Sequence, residues 1–219
     1  MFDNATLQMI GEGFLETLYM TIVSFAFAYV IGLPLGITLV MTDREGIRPL
    51  VWLNRLLGVI INLLRSVPFL ILFLVLTPLT RAIVGTSLGP KAAIVGLVIA
   101  SAPFIARLVE GSIKEVDKGV IEAAESMGAS PMQIIFKVLM PEAKPSLIVG
   151  SAIAVTTILS YSAMTGFVGG GGLGDIAIRY GYHRYQTDIM LVTVAILVVI
   201  VQILQEIGMK LAKIGDKRI

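Results

Sequence analysis

Five apolar runs, each long enough to cross a bilayer, constrain this chain more than any other feature. A helix rises about 1.5 Å per residue, so about 20 apolar residues cross roughly 30 Å of hydrocarbon. Lipid also offers backbone amides and carbonyls no partner outside the helix. The runs lie between Glu16 and Asp43, between Arg55 and Arg81, from about Lys91 to Arg107, from about Pro145 to Val168, and from Asp188 to Glu206. The expected fold class is an all-α polytopic membrane protein with five transmembrane helices and its largest polar loop between the third and fourth. Gly32, Pro34 and Gly36 interrupt the first run, and Arg65 and Pro68 the second. Such breaks imply packing on neighbouring helices or contact with water.

Composition agrees: 56% of the 219 residues are hydrophobic, 15% are charged, and mean hydropathy is +0.90. The net charge is +2, and the basic residues are scattered among apolar runs rather than gathered on a stripe, which argues against nucleic acid as a partner. No cysteine is present, and His183 is the single histidine, so neither thiolate chemistry nor a histidine-built metal site is expected. Asp3, Glu12 and Glu16 precede or open the first run without any Lys or Arg, unlike a cleavable secretory signal. That run is expected to be retained as a span.

Lys and Arg accumulate on the cytoplasmic side of short loops. One side of the five-span arrangement holds twelve: Arg44, Arg48, Arg55, Arg107, Lys114, Lys118, Lys137, Lys144, Lys210, Lys213, Lys217 and Arg218. The other holds four, Arg81, Lys91, Arg179 and Arg184, with Arg65 left out because it lies inside a run. The expected topology places the N-terminus outside and the C-terminus in the cytoplasm. Residues 13–208 then form the membrane domain, and residues 209–219 a basic cytoplasmic tail.

The loop between the third and fourth runs, about Lys114 to Lys144, is too polar to span and reads as two short helices. The first, about Gly119 to Met127, leans apolar at Ile121, Ala124 and Met127, and Gly128 suits a left-handed cap. The second starts at Ser130, with Pro131 at the first helical position and Gln133 completing a capping box. Ile134, Ile135, Val138 and Leu139 supply its apolar face, and Pro141 is expected to end it. On pattern alone, an amphipathic loop lying on the membrane surface fits equally well.

Glu122-Ala123-Ala124, then Gly128, nine residues, then Val138-x-Met140-Pro141 resembles the signature loop of binding-protein-dependent ABC importer permeases. That family usually has Ile and Leu at the positions of Val138 and Met140. The resemblance covers nearly the whole chain, including Leu15-Glu16-Thr17-Leu18, Arg65-Ser66-Val67-Pro68-Phe69, Ala102-Pro103-Phe104-Ile105-Ala106-Arg107, Met127 to Gln133, and Tyr161-Ser162-Ala163-Met164. These segments are most similar to the methionine-uptake members of the family.

The resemblance implies that the loop docks in a groove of a separate cytoplasmic ATPase, with Glu122, Ala123, Ala124, Gly128 and Pro141 as coupling residues. It also implies two chains like this one, two ATPase copies carrying ATP and Mg, a substrate-binding lipoprotein or periplasmic protein, and methionine, L- and D-, as solute. The location would be a bacterial inner membrane.

Gly169 to Gly174 is the only glycine-rich run, but Asp175 follows where a phosphate-binding loop would place Lys. The run is expected to be flexible backbone at the outer end of the fourth span, and the chain itself to be no enzyme. Arg65 would cost about 2.5 to 3.5 kcal/mol at the centre of an isolated span. It is therefore expected near the cytoplasmic edge, the alternative being the solute path. Arg107 and Glu110 can pair on one helical face. Tyr161, Ser162 and Met164 are candidates for a path or gate, with plain packing as the other reading of Met164. Tyr180, Tyr182 and Tyr185 suit an outer interface. Two rivals to an importer subunit remain: a secondary transporter, which would need intramembrane carboxylates or broken helices, and a scaffold that recruits a partner through the loop.

Overall fold

A computed structural model describes residues 2–215, so Lys217 and Arg218 of the basic tail lie outside the described residues. The elements in order are α1 (Asn4–Thr42), α2 (Val51–Ser66), α3 (Phe69–Val75), α4 (Thr77–Val84), α5 (Pro90–Lys114), α6 (Lys118–Ser126), α7 (Pro131–Val168), α8 (Gly172–Ile176) and α9 (Thr187–Gly215). Four helices, α1, α5, α7 and α9, are long and apolar enough to cross a membrane; the bent pair α2 and α3, taken as one span, makes five.

α1 begins well before the apolar run because Asp3 caps it, its Oδ1 accepting from the Thr6 N–H at 2.9 Å. Those hydrogen bonds hold the Asp3 carboxyl below its ordinary pKa. At 39 residues the helix is about 58 Å long, more than the hydrocarbon needs. Pro34 does not break it. Gly32 and Gly36 let α5 approach closely: a Cβ at Gly36 would stand 2.6 Å from the Ala106 carbonyl oxygen and from Val109 Cβ. α1 and α5 run in the same direction, Gly32 meeting Ala102 and Ile105, and Gly36 meeting Ala106 and Val109. In lipid such contact between small residues, rather than water exclusion, drives helix association.

The second run is not one helix. Val67, pushed to extended backbone by the proline after it (ψ 127), and Pro68 break it, and the axis turns by 104° between α2 and α3. Phe69 and Phe73 of α3 then pack on Met20, Ala93 and Leu97.

α7 overturns the expectation that Pro141 ends the second loop helix. Residues 134–139 form a π turn, in which the Met140 N–H donates to the Ile135 carbonyl, and the helix continues through Pro141 and Pro145 into the fourth apolar run. The π turn shifts the bonding register just before Pro141, so the missing proline N–H falls where the ladder is already re-paired. Loop helix and span are thus one rod. The main core joins it to α1, α5 and α6 through Ala28, Ile105, Val109, Ala124, Ile135 and Ile158.

Candidate functional site

Asp117 caps α6, its Oδ1 accepting from the Gly119 N–H at 2.6 Å, and Gly128 leaves the helix in the left-handed region at φ 79. Ser130 and Gln133 complete the expected capping box: the Ser130 N–H donates to Gln133 Oε1 at 2.8 Å, and the Gln133 N–H to Ser130 Oγ at 3.4 Å. The rotation of α6 separates the adjacent alanines. Ala124 is buried against Ile134 and Ile135 of the chain's own core, whereas Glu122 and Ala123 face outward. Around them stand Met127, Met132 and Phe136, exposed by 82%, 64% and 61%. Met127 therefore belongs to the outer surface rather than to the inward face of α6. Exposed apolar residues gathered on a loop mark an interaction surface. Pro141 is exposed on the continuous helix.

Ion pairs tie this loop to the spans. Lys118 Nζ meets Glu45 Oε2 at 2.5 Å, and Lys114 Nζ bridges Asp43 Oδ2 at 2.7 Å and Glu110 Oε1 at 2.9 Å. Glu110 also accepts from Arg107 Nη1 at 2.6 Å, the expected pair, and Arg107 Nη2 donates to Asn62 Oδ1 of α2 at 3.0 Å. The lysine partners lower the carboxyl pKa of Asp43 and Glu45, and Glu45 raises that of Lys118. Asn54 closes the α1–α2 corner by donating to the Leu39 carbonyl at 2.6 Å. Asp43, Glu45 and Asn62 escaped the sequence reading. Its only signal for them was the charge of short loops expected on one side.

Phe69 stacks on Tyr161, centroids 4.5 Å apart and planes within 3°, so α3 is fastened to α7 at the bend. Met164 is exposed. Ser162 is buried and donates to the Leu159 carbonyl at 2.7 Å, so it faces the chain's interior. Arg65 occupies the last turn of α2, exposed, immediately before the bend.

At the opposite end, the glycine run is a specified turn rather than flexible backbone. Gly169, Gly171 and Gly172 take φ of 76, 84 and 78. α1 then fixes the turn: Glu16 Oε2 accepts from the Gly172 N–H at 2.8 Å, and Thr17 Oγ1 from the Leu173 N–H at 2.9 Å. Asp175 pairs with Arg179. Tyr182 and Tyr185 are exposed, and Arg184 lies over the Tyr180 ring.

An all-helical chain among its described residues, with a bent span and a polar loop paired to the corner after α1 through Lys118–Glu45 and Lys114–Asp43, has the build of a membrane subunit of a transport machine. Residues 32–208 match the family described as binding-protein-dependent transport system inner membrane component, and the chain belongs to it. It is 52% identical over 203 residues to a probable D-methionine transport system permease protein, MetI, of Vibrio cholerae, covering 93% of this chain and 90% of that one. The methionine import system permease protein MetP of Bacillus subtilis is 45% identical over 217 residues, 99% of this chain and 98% of its own. Among solved structures, the inward-facing MetNI methionine ABC transporter matches with a TM-score of 0.97 and 44% identity, over 99% of this chain and 100% of that one. An amino acid ABC transporter at 20% identity shares the fold, with a TM-score of 0.72.

Proposed function

We propose that this chain conducts methionine inward across a bacterial inner membrane as the permease subunit of an ATP-driven importer. The methionine assignment rests on its similarity to the permeases of the methionine systems. ATP and Mg are bound by a separate ATPase, two copies of which dock on the loops of two permease chains, and a binding protein delivers solute from outside. The N-terminus faces outside and the loop the cytoplasm. The observation that carries the coupling role is the outward-facing set of Glu122, Ala123 and Met127 at α6, which packs through Ala124 on Ile134 and Ile135 of α7, where Met132 is also exposed.

Displacement of this patch by a closing ATPase pair has three rigid outlets. α7 moves because loop helix and span are one rod. The Lys118–Glu45 and Lys114–Asp43 pairs pass the motion to the corner after α1. Glu110 and Arg107 carry it to Asn62 on α2, one turn before the bend. Packed elements with two discrete arrangements turn such small shifts into opening and closing.

The test is methionine uptake into liposomes holding the chain, its ATPase and the binding protein, with and without ATP. Uptake that requires ATP supports the reading. Uptake that follows an imposed ion gradient and ignores ATP refutes it, and ATP hydrolysis that responds to the binding protein without methionine movement refutes the cargo alone.

A further inference from the structure

Arg65 is placed by its neighbours inside the helical bundle, one turn beyond the Asn62–Arg107 contact. Three residues before it, Asn62 receives the hydrogen bond from Arg107; just after it, Phe69 stacks on Tyr161, and Phe73 lies against Gly96. Arg65 is therefore level with the stretch of α5 between Gly96 and Arg107, within the third apolar run. There it is exposed, and among the described residues its side chain has no hydrogen bond or ion pair.

An unpartnered guanidinium facing lipid within an apolar run is costly, and ionisable groups inside membrane proteins face water-filled cavities or partners. The surrounding backbone points the same way. Pro68 has no N–H, so the Leu64 carbonyl lacks its i+4 donor, and irregular backbone inside a membrane is tolerated only against protein or water. Ser66 and Asn62 are also exposed here. Across the Phe69–Tyr161 stack, α7 presents exposed Ser160 and Met164. A cation on one side of the bend thus meets an exposed hydroxyl and a thioether on the other.

Resting on the importer reading, we infer that Arg65 lines the solute path at the bend between α2 and α3 and binds the carboxylate of an amino-acid solute there. The planar fork of a guanidinium matches a carboxylate in two-point contact, whereas a lysine offers a point charge. Solute passing the bend exchanges water for Arg65, with its apolar end free to lie on Met164. The site must stay weak enough to release, which fits a half-site open on one face.

The chain has no cysteine, so single-cysteine variants report accessibility cleanly. In the reconstituted transporter, Arg65→Cys is treated with a water-soluble thiosulfonate beside Val198→Cys, an exposed position of α9. We expect Arg65→Cys to react at least tenfold faster, and Ser66→Cys, an exposed neighbour that leaves Arg65 in place, to be protected by L-methionine during ATP-driven turnover. Arg65→Gln should lose at least tenfold of uptake, and Arg65→Lys should recover part of it. Labelling as slow as at Val198→Cys places Arg65 against lipid or protein and overturns the inference, as does wild-type uptake by Arg65→Gln. Loss of uptake that Arg65→Lys does not relieve, with labelling of Ser66→Cys that methionine leaves unchanged, overturns carboxylate binding. Labelling is read without solute as well, so a wild type that moves no methionine counts against the cargo and not against the path.

Discussion

Replacing both Gly32 and Gly36 with alanine tests the contact that organises the spans. A Cβ at Gly36 would lie 2.6 Å from the Ala106 oxygen and Val109 Cβ; at Gly32 it would lie 2.7 Å from Ile105 Cγ2 and 2.9 Å from the Ala102 oxygen. Ordinary contact is about 3.5–4.0 Å, so α1 and α5 must part by about 1 Å along their length. Overpacking of this kind costs about 1–3 kcal/mol per site, against which each alanine gains at most about 1 kcal/mol of helix propensity. The net for the pair is about 2 kcal/mol, or a fall in Tm of about 4–8 °C for a chain of this size. Circular dichroism during heating in detergent reads it. Gly11→Ala is the control, because nothing lies within 4 Å of its Cβ, and it should melt at or slightly above the parent. A double variant as stable as the parent would refute the close-packed account of α1 and α5.

Three further outcomes follow. Gly128→Ala, at φ 79 with open space around it, should cost about 1 kcal/mol from backbone strain alone, and Gly128→Asn less; thermal melts of both variants check this. The pKa of Asp43 is lowered from 3.8, chiefly by its hydrogen bond to Lys114, so the stabilisation is present above that ordinary value and is lost as pH falls through the lowered one. The melting difference between the parent and Asp43→Asn should therefore be constant near neutrality and shrink in acid below the ordinary carboxyl range; a difference that grows in acid would contradict the pairing. Thr17→Val leaves the buried Leu173 N–H without its acceptor, costing about 1–3 kcal/mol, and should speed proteolysis at the glycine turn.

Proline shows where the sequence stops being readable. Pro68 and Pro141 both stand in apolar surroundings, yet one bends the chain by 104° and the other lies inside a continuous helix. Pro34, Pro103 and Pro145 also lie inside continuous helices, and what sets Pro68 apart is the extended backbone of Val67 before it. No local pattern announces it. Local chemistry was legible: Gly128 and the Ser130–Gln133 box stand where their side-chain rules put them. The order of the glycine run was not, because it depends on Glu16 and Thr17, remote in sequence. The helical register also divides Ala123 from Ala124, a distinction that two adjacent alanines do not carry.

The coupling role proposed for α6 requires its outward face to transmit ATP hydrolysis to the path. Hydrolysis and methionine uptake should be measured together in liposomes holding the parent chain, Ala123→Trp or Glu122→Arg, each with the ATPase and binding protein. Either substitution should abolish uptake and the response of hydrolysis to the binding protein, while leaving the melting temperature of the free permease unchanged. Uptake that persists in both variants at the parent rate would contradict it.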